Sequence, residues 1–277
     1  MRNEQEYIEG TIRSVLSQTI RPSTWIIVND GSTDETKDII GRYLSQNRWV
    51  RLINLPDRGY RKTGTGVIEA FNKGYETIEA QDFDFIAKLD GDLTFEKDYF
   101  EKLFEKFGRH PKLGLAGGWV YDAVDDKLKP HKYPPDHVRG AVKTYRRECF
   151  EEIGGLIPTL GWDGIDEMSA QMKGWETQSF RELKVLLHKP MGSTGGVLKG
   201  RLRGAYGACE LGYNSLFMTA RCLRKMLMDE PFITGGLVML MGFYFYKLRG
   251  VKPLDNPELI KYIRKKQKRR MIFWKKV

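Results

Sequence analysis

Strand-length apolar runs alternate with helix-length amphipathic segments over residues 1–123. The predicted strands are 25–28, 50–54, 83–89 and 113–121, and the predicted helices are 4–19, 33–44, 64–78 and 97–107. Ser32 and Glu35 have the spacing of a capping box at the start of the second helix. Strands that alternate with helices of this length indicate a mostly parallel sheet. We therefore predict an α/β fold with helices on both faces of the sheet.

The rest of the chain is less regular. Residues 124–145 are polar and rich in proline (KLKPHKYPPD), which predicts a long functional loop. Three further helices are predicted at 146–154, 164–174 and 200–229. Residues 231–246 carry no charge over sixteen positions, fewer than the roughly 20 that a spanning helix needs. This segment is open to three interpretations: it lies in the plane of a membrane, re-enters it, or belongs to the core.

The net charge of +10 comes from the end of the chain. Residues 247–277 hold twelve Lys and Arg against two Asp and Glu, whereas residues 1–246 are balanced. A polycationic tail indicates binding to anionic membrane or to nucleic acid, or else a solvated end. The three cysteines are widely spaced with no C-x-x-C, which argues against a disulfide framework or a structural zinc site and favours a reducing compartment.

Two carboxylates, Asp90 and Asp92, follow the predicted strand FDFIAKL with only Gly91 between them. Like charges so close repel each other, and a divalent cation would offset that repulsion. Mg²⁺ and Mn²⁺ take hard oxygen ligands, accept one or two carboxylates and leave positions for phosphate oxygens. Gly91 would allow close approach of a ligand. Asp30 also ends a predicted strand, and parallel sheets bind ligands at that edge. The sequence thus predicts a metal–diphosphate site, although a lone D-x-D also occurs in solvated turns.

Six segments in order carry a family resemblance. They read RNEQEYIEGTIRSVLSQT, VNDGSTDET, AKLDGDLTF, YRRECFEEIGGL, GWDGIDEMSAQMKGW and HKPMGSTGG. Together they resemble family 2 glycosyltransferases of the GT-A fold over about residues 2–200. The resemblance implies a GT-A domain over 1–200. The apolar run and the basic tail predict that the remaining residues, 201–277, form a helical, membrane-associated segment.

The resemblance also implies roles for individual residues. Donor-binding positions would be Asn3, Glu4, Asp30, Lys62, Asp90, Gly91 and Asp92, with Asp90 and Asp92 holding Mg²⁺ or Mn²⁺. Positions facing the acceptor or a phosphate would be Arg146, Arg147 and His188. The general base would be Asp166, with Asp163 second and Glu167 third, because the glutamate usual in the family motif is replaced by Ile165. The structural alternative for these acids is that they complement the helix dipole.

Two departures from the family pattern bear on function. The family begins with a strand before R-N-E, and here Met1 immediately precedes that motif; we expect the usual first strand to be missing from a shortened chain. No Q-x-x-R-W follows Asp166, which favours transfer of single sugars over processive synthesis. The resemblance implies inversion at the anomeric carbon. The resemblance and the basic tail together predict a carbohydrate or lipid-linked acceptor in surface polysaccharide or glycolipid synthesis.

Two rival interpretations remain at this point. Asp90 and Asp92 also fit the D-x-D-x-T of haloacid-dehalogenase-like phosphatases, in which Asp90 would be a nucleophile. The basic tail with Tyr262, Phe273 and Trp274 could instead grip nucleic acid. The apolar run at 231–246 favours an anionic membrane surface, bound through 231–277, over nucleic acid. We therefore predict a cytoplasmic enzyme peripherally associated with the inner face of the cell membrane.

Overall fold

The computed structural model describes residues 1–62, 64–78, 83–124, 127–189 and 196–273. The strands are β1 (Trp25–Asp30), β2 (Val50–Leu55), β3 (Phe85–Leu89), β4 (Leu93–Phe95), β5 (Leu113–Val124), β6 (Lys127–Pro130), β7 (Val142–Arg146) and β8 (Glu176–Leu187). The helices are α1 (Ile8–Leu16), α2 (Thr36–Leu44), α3 (Thr65–Tyr75), α4 (Tyr99–Arg109), α5 (Arg147–Glu152), α6 (Trp162–Met172), α7 (Gly196–Glu210), α8 (Ser215–Met228), α9 (Thr234–Leu248) and α10 (Pro257–Phe273).

The α/β class is confirmed, but the strand pairing is mixed rather than mostly parallel. β1 and β2 form a parallel pair, and a second sheet has the order β3-β7-β5-β8-β4 with β6 on β5. In that sheet only β5 and β8 are parallel among the described pairs. The helix-linked repeat that predicts parallel pairing stops at β5, because parallel neighbours need a crossover of about a dozen residues or more. β6 follows β5 too closely for that.

Several element predictions need correction. The predicted loop at 124–145 contains β6 and the first part of β7, and the predicted helix 200–229 is two helices. The capping box does not form: Ser32 Oγ accepts from the Asn3 amide (2.9 Å), and Asp34 Oδ1 accepts from the Thr36 amide (3.1 Å). α2 therefore begins three residues later than predicted.

Apolar side chains cover both faces of the larger sheet. On one face Val120 and Val185 pack with Leu103 and Phe107 of α4. On the other face Leu115, Ile86 and Tyr145 pack with Ile68 of α3, Phe150 of α5 and Trp162 of α6. Helices on both faces are thus confirmed, and the packing of α6 brings its first turn close to β3 and β7.

The C-terminal helices have a small core of their own. Ala205, Met218, Cys222, Met239 and Phe243 join α7, α8 and α9. A further cluster attaches α10 to α6: Ile165 of α6 packs with Leu259 and Ile263 of α10 and with Leu211, which follows α7. Within the described ranges, no helix combines the length and apolarity needed to cross a membrane. The division at residue 200 stays a prediction, and α7 already begins at Gly196.

The close approach of β5 to β8 at Gly118 yields a stability prediction. A Cβ added there would lie 2.3 Å from the Leu183 carbonyl oxygen, whereas one added at Gly108 in α4 would meet no atom within 4 Å. We expect Gly118→Ala to lower the free energy of unfolding by about 1–3 kcal/mol. Gly108→Ala should raise it by up to about 1 kcal/mol because it removes a helical glycine. Urea denaturation measures both, and a Gly118→Ala variant as stable as the wild type would contradict the packing described.

Candidate active site

The first residues of the chain hold the loop that follows β1. Asn3 adopts a left-handed backbone conformation (φ 54°). Its side-chain oxygen accepts from the Thr33 amide (2.9 Å), and the Glu4 amide donates to Thr36 Oγ1 (2.8 Å). The R-N-E segment therefore braces the N-D-G-S-T-D loop. In this structure Asn3 holds that loop in place, and its predicted role in donor binding stays a prediction.

Buried carboxylates at the strand ends are paired with cations. Asp30 is 7% exposed and forms an ion pair with Arg58. Glu4 is 4% exposed and accepts from Arg61 (3.0 Å) and Lys189 (3.1 Å). The sequence reasoning missed these three cations. Arg58 and Arg61 follow the carboxyl end of β2, so the strand-end rule that located Asp30 could have found them.

Lys62 belongs to the same loop as Arg61 but points elsewhere. It forms an ion pair with Glu69 of α3, and its side chain is 40% exposed. The structure therefore brings Arg58 and Arg61, rather than Lys62, to the buried carboxylates. The predicted donor role of Lys62 stays a prediction.

Asp90 is fixed by both its backbone and its side chain. Its amide donates to the Ala141 carbonyl (2.9 Å), and its carboxylate accepts from the Lys88 ammonium. Lys88 also donates to the Gly140 carbonyl (2.6 Å). Gly91 is crowded by Met1, since an added Cβ would lie 3.1 Å from Met1 Cε. The D-G-D turn is thus rigidly held, with Lys88 as the cation beside Asp90.

Asp92 carries a perturbed carboxyl group. Burial first, then the charges of Asp90 and Glu4, raise the pKa of Asp92 to about 7. An acid in this environment is stabilised by a cation, which favours its charged form. Two carboxylates from one turn are a donor set that fits Mg²⁺ or Mn²⁺ with positions left for phosphate. The described residues contain no cluster of three or more His, Cys, Asp and Glu groups able to hold a metal.

His188 lies directly beside this turn. Its amide donates to the Asp92 carbonyl (3.0 Å), and its Nε2 is hydrogen-bonded to Thr94 Oγ1 (2.7 Å). Its ring stacks on Tyr7, and burial lowers its pKa. The structure thus brings His188 to the candidate metal turn, while most of its motif, residues 190–195, lies outside the described residues.

Arg146 and Arg147 lie at the wrong end of the sheet for their predicted role. Arg146 is paired in register with Phe85, at the opposite end of β3 from Asp90, and donates to the Phe107 carbonyl (2.9 Å). Arg147 bonds Glu151 (2.7 Å) within α5. The prediction that these arginines face an acceptor or phosphate is therefore wrong, because β7 runs antiparallel to β3.

Asp166, the first choice for the base, is buried in an ion-pair network. It is 3% exposed and accepts from Lys143 Nζ (2.7 and 2.9 Å) and from the Tyr145 hydroxyl (2.5 Å). Burial lowers the pKa of Lys143, but the charges of Asp166 and Glu167 outweigh this and keep it above its usual value. In this structure the Asp166 carboxylate is therefore occupied by Lys143 and Tyr145 rather than directed at an acceptor. The assignment of Asp166 as base stays a prediction.

Glu167 is enclosed in the same way, whereas Asp163 is not. Glu167 is 2% exposed and accepts from the Val138 amide (2.7 Å). Asp163 is half-buried in the first turn of α6. Its Cβ would lie 3.3 Å from a Cβ added at Gly140, whose carbonyl accepts from Lys88, the partner of Asp90. Asp163 is therefore connected to the D-G-D turn through Gly140 and Lys88.

Comparison with known proteins identifies the family. The model of glycosyl transferase family 2 matches residues 1–162. The chain belongs to this family. Poly-beta-1,6-N-acetyl-D-glucosamine synthase of Staphylococcus aureus (strain COL) is 31% identical over 255 residues, 84% of this chain. The chain spans 59% of that relative's length.

Solved structures show that the fold is that of GT-A glycosyltransferases, as the sequence resemblance implied. A mannosyltransferase from Pyrobaculum calidifontis, solved with GDP-Man and Mn²⁺, has a TM-score of 0.53 at 15% sequence identity. The match covers 95% of this chain and 70% of the mannosyltransferase chain. S. aureus TarS 1–349 also has a TM-score of 0.53 at 15% identity, covering 88% of this chain and 68% of its own.

The raised pKa of Asp92 predicts a pH-dependent stability effect. An acid whose folded pKa is above its unfolded value binds more protons when folded, so its contribution to stability falls as pH rises between about 4 and 7. We expect Asp92→Asn to raise the melting temperature relative to the wild type at pH 8 and to leave it nearly unchanged at pH 4. Thermal denaturation without added metal measures this difference. An equal shift at both pH values would show that the charge of Asp92 is not the cause.

Proposed function

We propose that this protein transfers a sugar from a nucleotide-sugar to an acceptor hydroxyl. The observation that carries the proposal is the D-G-D turn of Asp90 and Asp92, to which the half-buried Asp163 is connected, in a chain of glycosyl transferase family 2. Asp30 lies at the end of β1, on the nucleotide side that the family resemblance implies. A phosphatase that uses Asp90 as nucleophile is disfavoured because it leaves the match to glycosyl transferase family 2 over residues 1–162 unexplained.

Asp90 and Asp92 would hold a divalent cation, which when bound supplies positive charge for the departing nucleoside diphosphate. Arg58 pairs with Asp30, and both Arg61 and Lys189 pair with Glu4, so these groups would leave one net positive charge on the donor side. Fixed charges of this kind stabilise the developing negative charge without reorganising.

Asp163 is the proposed general base. A base must come within hydrogen-bond reach of the acceptor hydroxyl, and of the three acids in this segment only Asp163 is not buried. Its position in the first turn of α6 is fixed by the Lys143 ammonium, which donates to the Asp163 carbonyl oxygen (2.8 Å). Transfer by direct attack of the deprotonated acceptor would invert the anomeric carbon.

The acceptor is proposed from the relatives. Their name describes synthesis of a β-1,6-linked N-acetylglucosamine polymer, which supports an acceptor in surface polysaccharide or glycolipid synthesis. Transfer of single sugars is proposed because the sequence lacks Q-x-x-R-W after Asp166.

The base assignment is tested by paired variants. We expect Asp163→Asn to lower kcat by at least about 100-fold, the size of general-base effects, with little change in calorimetric binding of UDP, GDP or dTDP with Mn²⁺. Asp166→Asn should instead lower the melting temperature, because it weakens the pair with the buried Lys143. Full transfer by Asp163→Asn would refute the base assignment. Absence of metal-dependent binding of any nucleotide to the wild type would refute the proposed function.

We further propose that the protein acts at an anionic membrane surface, through α8 and α9 more than through the tail. The two helices lie side by side, joined by Thr219 Oγ1 to Tyr244 OH (3.0 Å) and Lys247 Nζ to Ser215 Oγ (2.7 Å). Their apolar face comprises the exposed side chains Leu216, Leu223, Leu227, Leu237, Met241, Tyr244 and Leu248. These recur at helical spacing on each helix.

Charge identifies the partner of this apolar face. Residues 196–249 hold eight Lys and Arg against three Asp and Glu. Anionic lipid satisfies both the apolar face and the cations, whereas a second copy would bring like charges together. Nucleic acid would leave the leucines in water. Part of the basic tail already has protein partners, because Lys266 and Arg270 of α10 pair with Asp136 (3.1 and 3.3 Å). Trp274 lies outside the described residues.

The apolar face is tested with the Leu227→Gln/Leu248→Gln double variant, whose leucines are 79% and 88% exposed. We expect at least about a tenfold loss of binding to vesicles containing phosphatidylglycerol, because each leucine that leaves the lipid forfeits up to about 1.5–3 kcal/mol. Leu128→Gln on β6 (48% exposed) is the matched control and should bind as the wild type does. If the double variant sediments with these vesicles as the wild type does, the lipid assignment is refuted. It is also refuted if the substitutions instead abolish a concentration-dependent dimer.

A further inference from the structure

Two buried lysines face each other across the sheet. Lys88 of β3 and Lys143 of β7 are direct partners in the antiparallel register, and they are 3% and 0% exposed. Like charges directly opposite on neighbouring strands destabilise a sheet. Each buried ammonium also needs charged or hydrogen-bonding partners. Such a pair persists only where the surroundings compensate both charges.

The two ammonium groups are compensated by different parts of the candidate active site. Lys88 bonds the Asp90 carboxylate and the Gly140 carbonyl (2.6 Å). Lys143 bonds the Asp166 carboxylate and the Asp163 carbonyl (2.8 Å). One lysine thus holds the D-G-D turn, and its strand partner holds the first turn of α6.

The Trp162 ring connects the two lysines. Lys88 Nζ and Lys143 Nζ each lie 5.2 Å from its centroid, within the range of a cation–π contact. The ring also packs on Gly140, where an added Cβ would be 2.8 Å from Trp162 Cζ2. Trp162 is the residue before Asp163 in the first turn of α6, so the packing of its ring helps to fix the backbone that carries the candidate base.

We propose that Lys88, Trp162 and Lys143 form a positioning unit that sets the separation between the Asp90 carboxylate and the Asp163 carboxylate. The inference rests on the proposed function, since it assigns those carboxylates to the metal and the base. None of the three residues is a catalytic residue in this scheme; they act through Asp90 and Asp163. Reaction rates depend steeply on such spacing, and a displacement of about 1 Å can lower the rate about 100-fold.

The test replaces the shared ring. We expect Trp162→Leu to lower kcat between about 10-fold and about 100-fold, while KM for the donor and the Kd of the nucleoside diphosphate with Mn²⁺ change less than about twofold, since Asp90 and Asp92 are retained. Should the leucine variant not fold, Trp162→Phe takes its place. A single six-membered ring covers less of the two ammonium groups, so kcat should fall about threefold or more.

Trp119→Leu is the matched control. Trp119 is also buried (3% exposed, against 8% for Trp162). Its ring has the Arg181 guanidinium 4.4 Å away but forms no aromatic–cation pair with either lysine. We expect Trp119→Leu to lower the melting temperature with kcat retained. A folded Trp162 variant with wild-type kcat, or an equal loss of kcat in Trp119→Leu, would overturn the proposal.

A failure of the proposed function is distinguished by a measurement that needs no activity. The melting temperatures of Lys88→Met, Trp162→Leu and the double variant form a cycle. If the ring and the lysine act as one unit, the shift of the double variant should differ from the sum of the single shifts by about 2–4 °C. Additive shifts would overturn the unit even if the wild type transfers sugar. If the shifts are not additive but the protein transfers no sugar, the positioning unit is supported and the proposed function is wrong.

Discussion

The arrangement of the candidate active site depends on one buried ammonium group, that of Lys143. A fully buried cation requires charged partners at close range, and Asp166 and Glu167 of α6 supply them (2.7 and 3.4 Å). Glu167 in turn bonds His137 (3.0 Å) and the Val138 amide, which fixes the segment leading into β7. β7, α6 and the segment that leads into β7 are therefore joined by the contacts of one buried ammonium group, and these contacts restrain the first turn of α6.

The carboxylates at the strand ends were predictable because they depend on local pattern alone. An apolar run that ends in Asp30, or in Asp90 and Asp92, places those side chains at the edge where a doubly covered sheet opens. Which carboxylate of G-W-D-G-I-D-E faces that opening is not a local property. Asp166 is buried because Lys143 lies beneath it, and Lys143 belongs to β7, whose sequence VKTYR looks polar enough to be taken for loop.

Strand direction explains the error on Arg146. The family resemblance implied a role for Arg146 at the site, but Arg146 ends β7, which runs antiparallel to β3, so the carboxyl ends of the two strands lie at opposite edges. Sequence periodicity gives strand positions without their direction. The same limit hid the pairing of Lys88 with Lys143, since register between distant strands cannot be read from either strand. Arg58, by contrast, follows the parallel strand β2 and obeys the strand-end rule.

Charge compensation accounts for two carboxylates in one turn. Asp30 and Glu4 have arginine partners, and Asp90 has Lys88. Across the residues that the structure describes, Asp92 has no ion pair, and burial with the charges of Asp90 and Glu4 holds its pKa near 7. The charge of Lys189, the second partner of Glu4, only partly offsets that of ionised Asp92. A divalent cation at the proposed site would stabilise ionised Asp92, and a diphosphate could occupy the remaining positions of that cation.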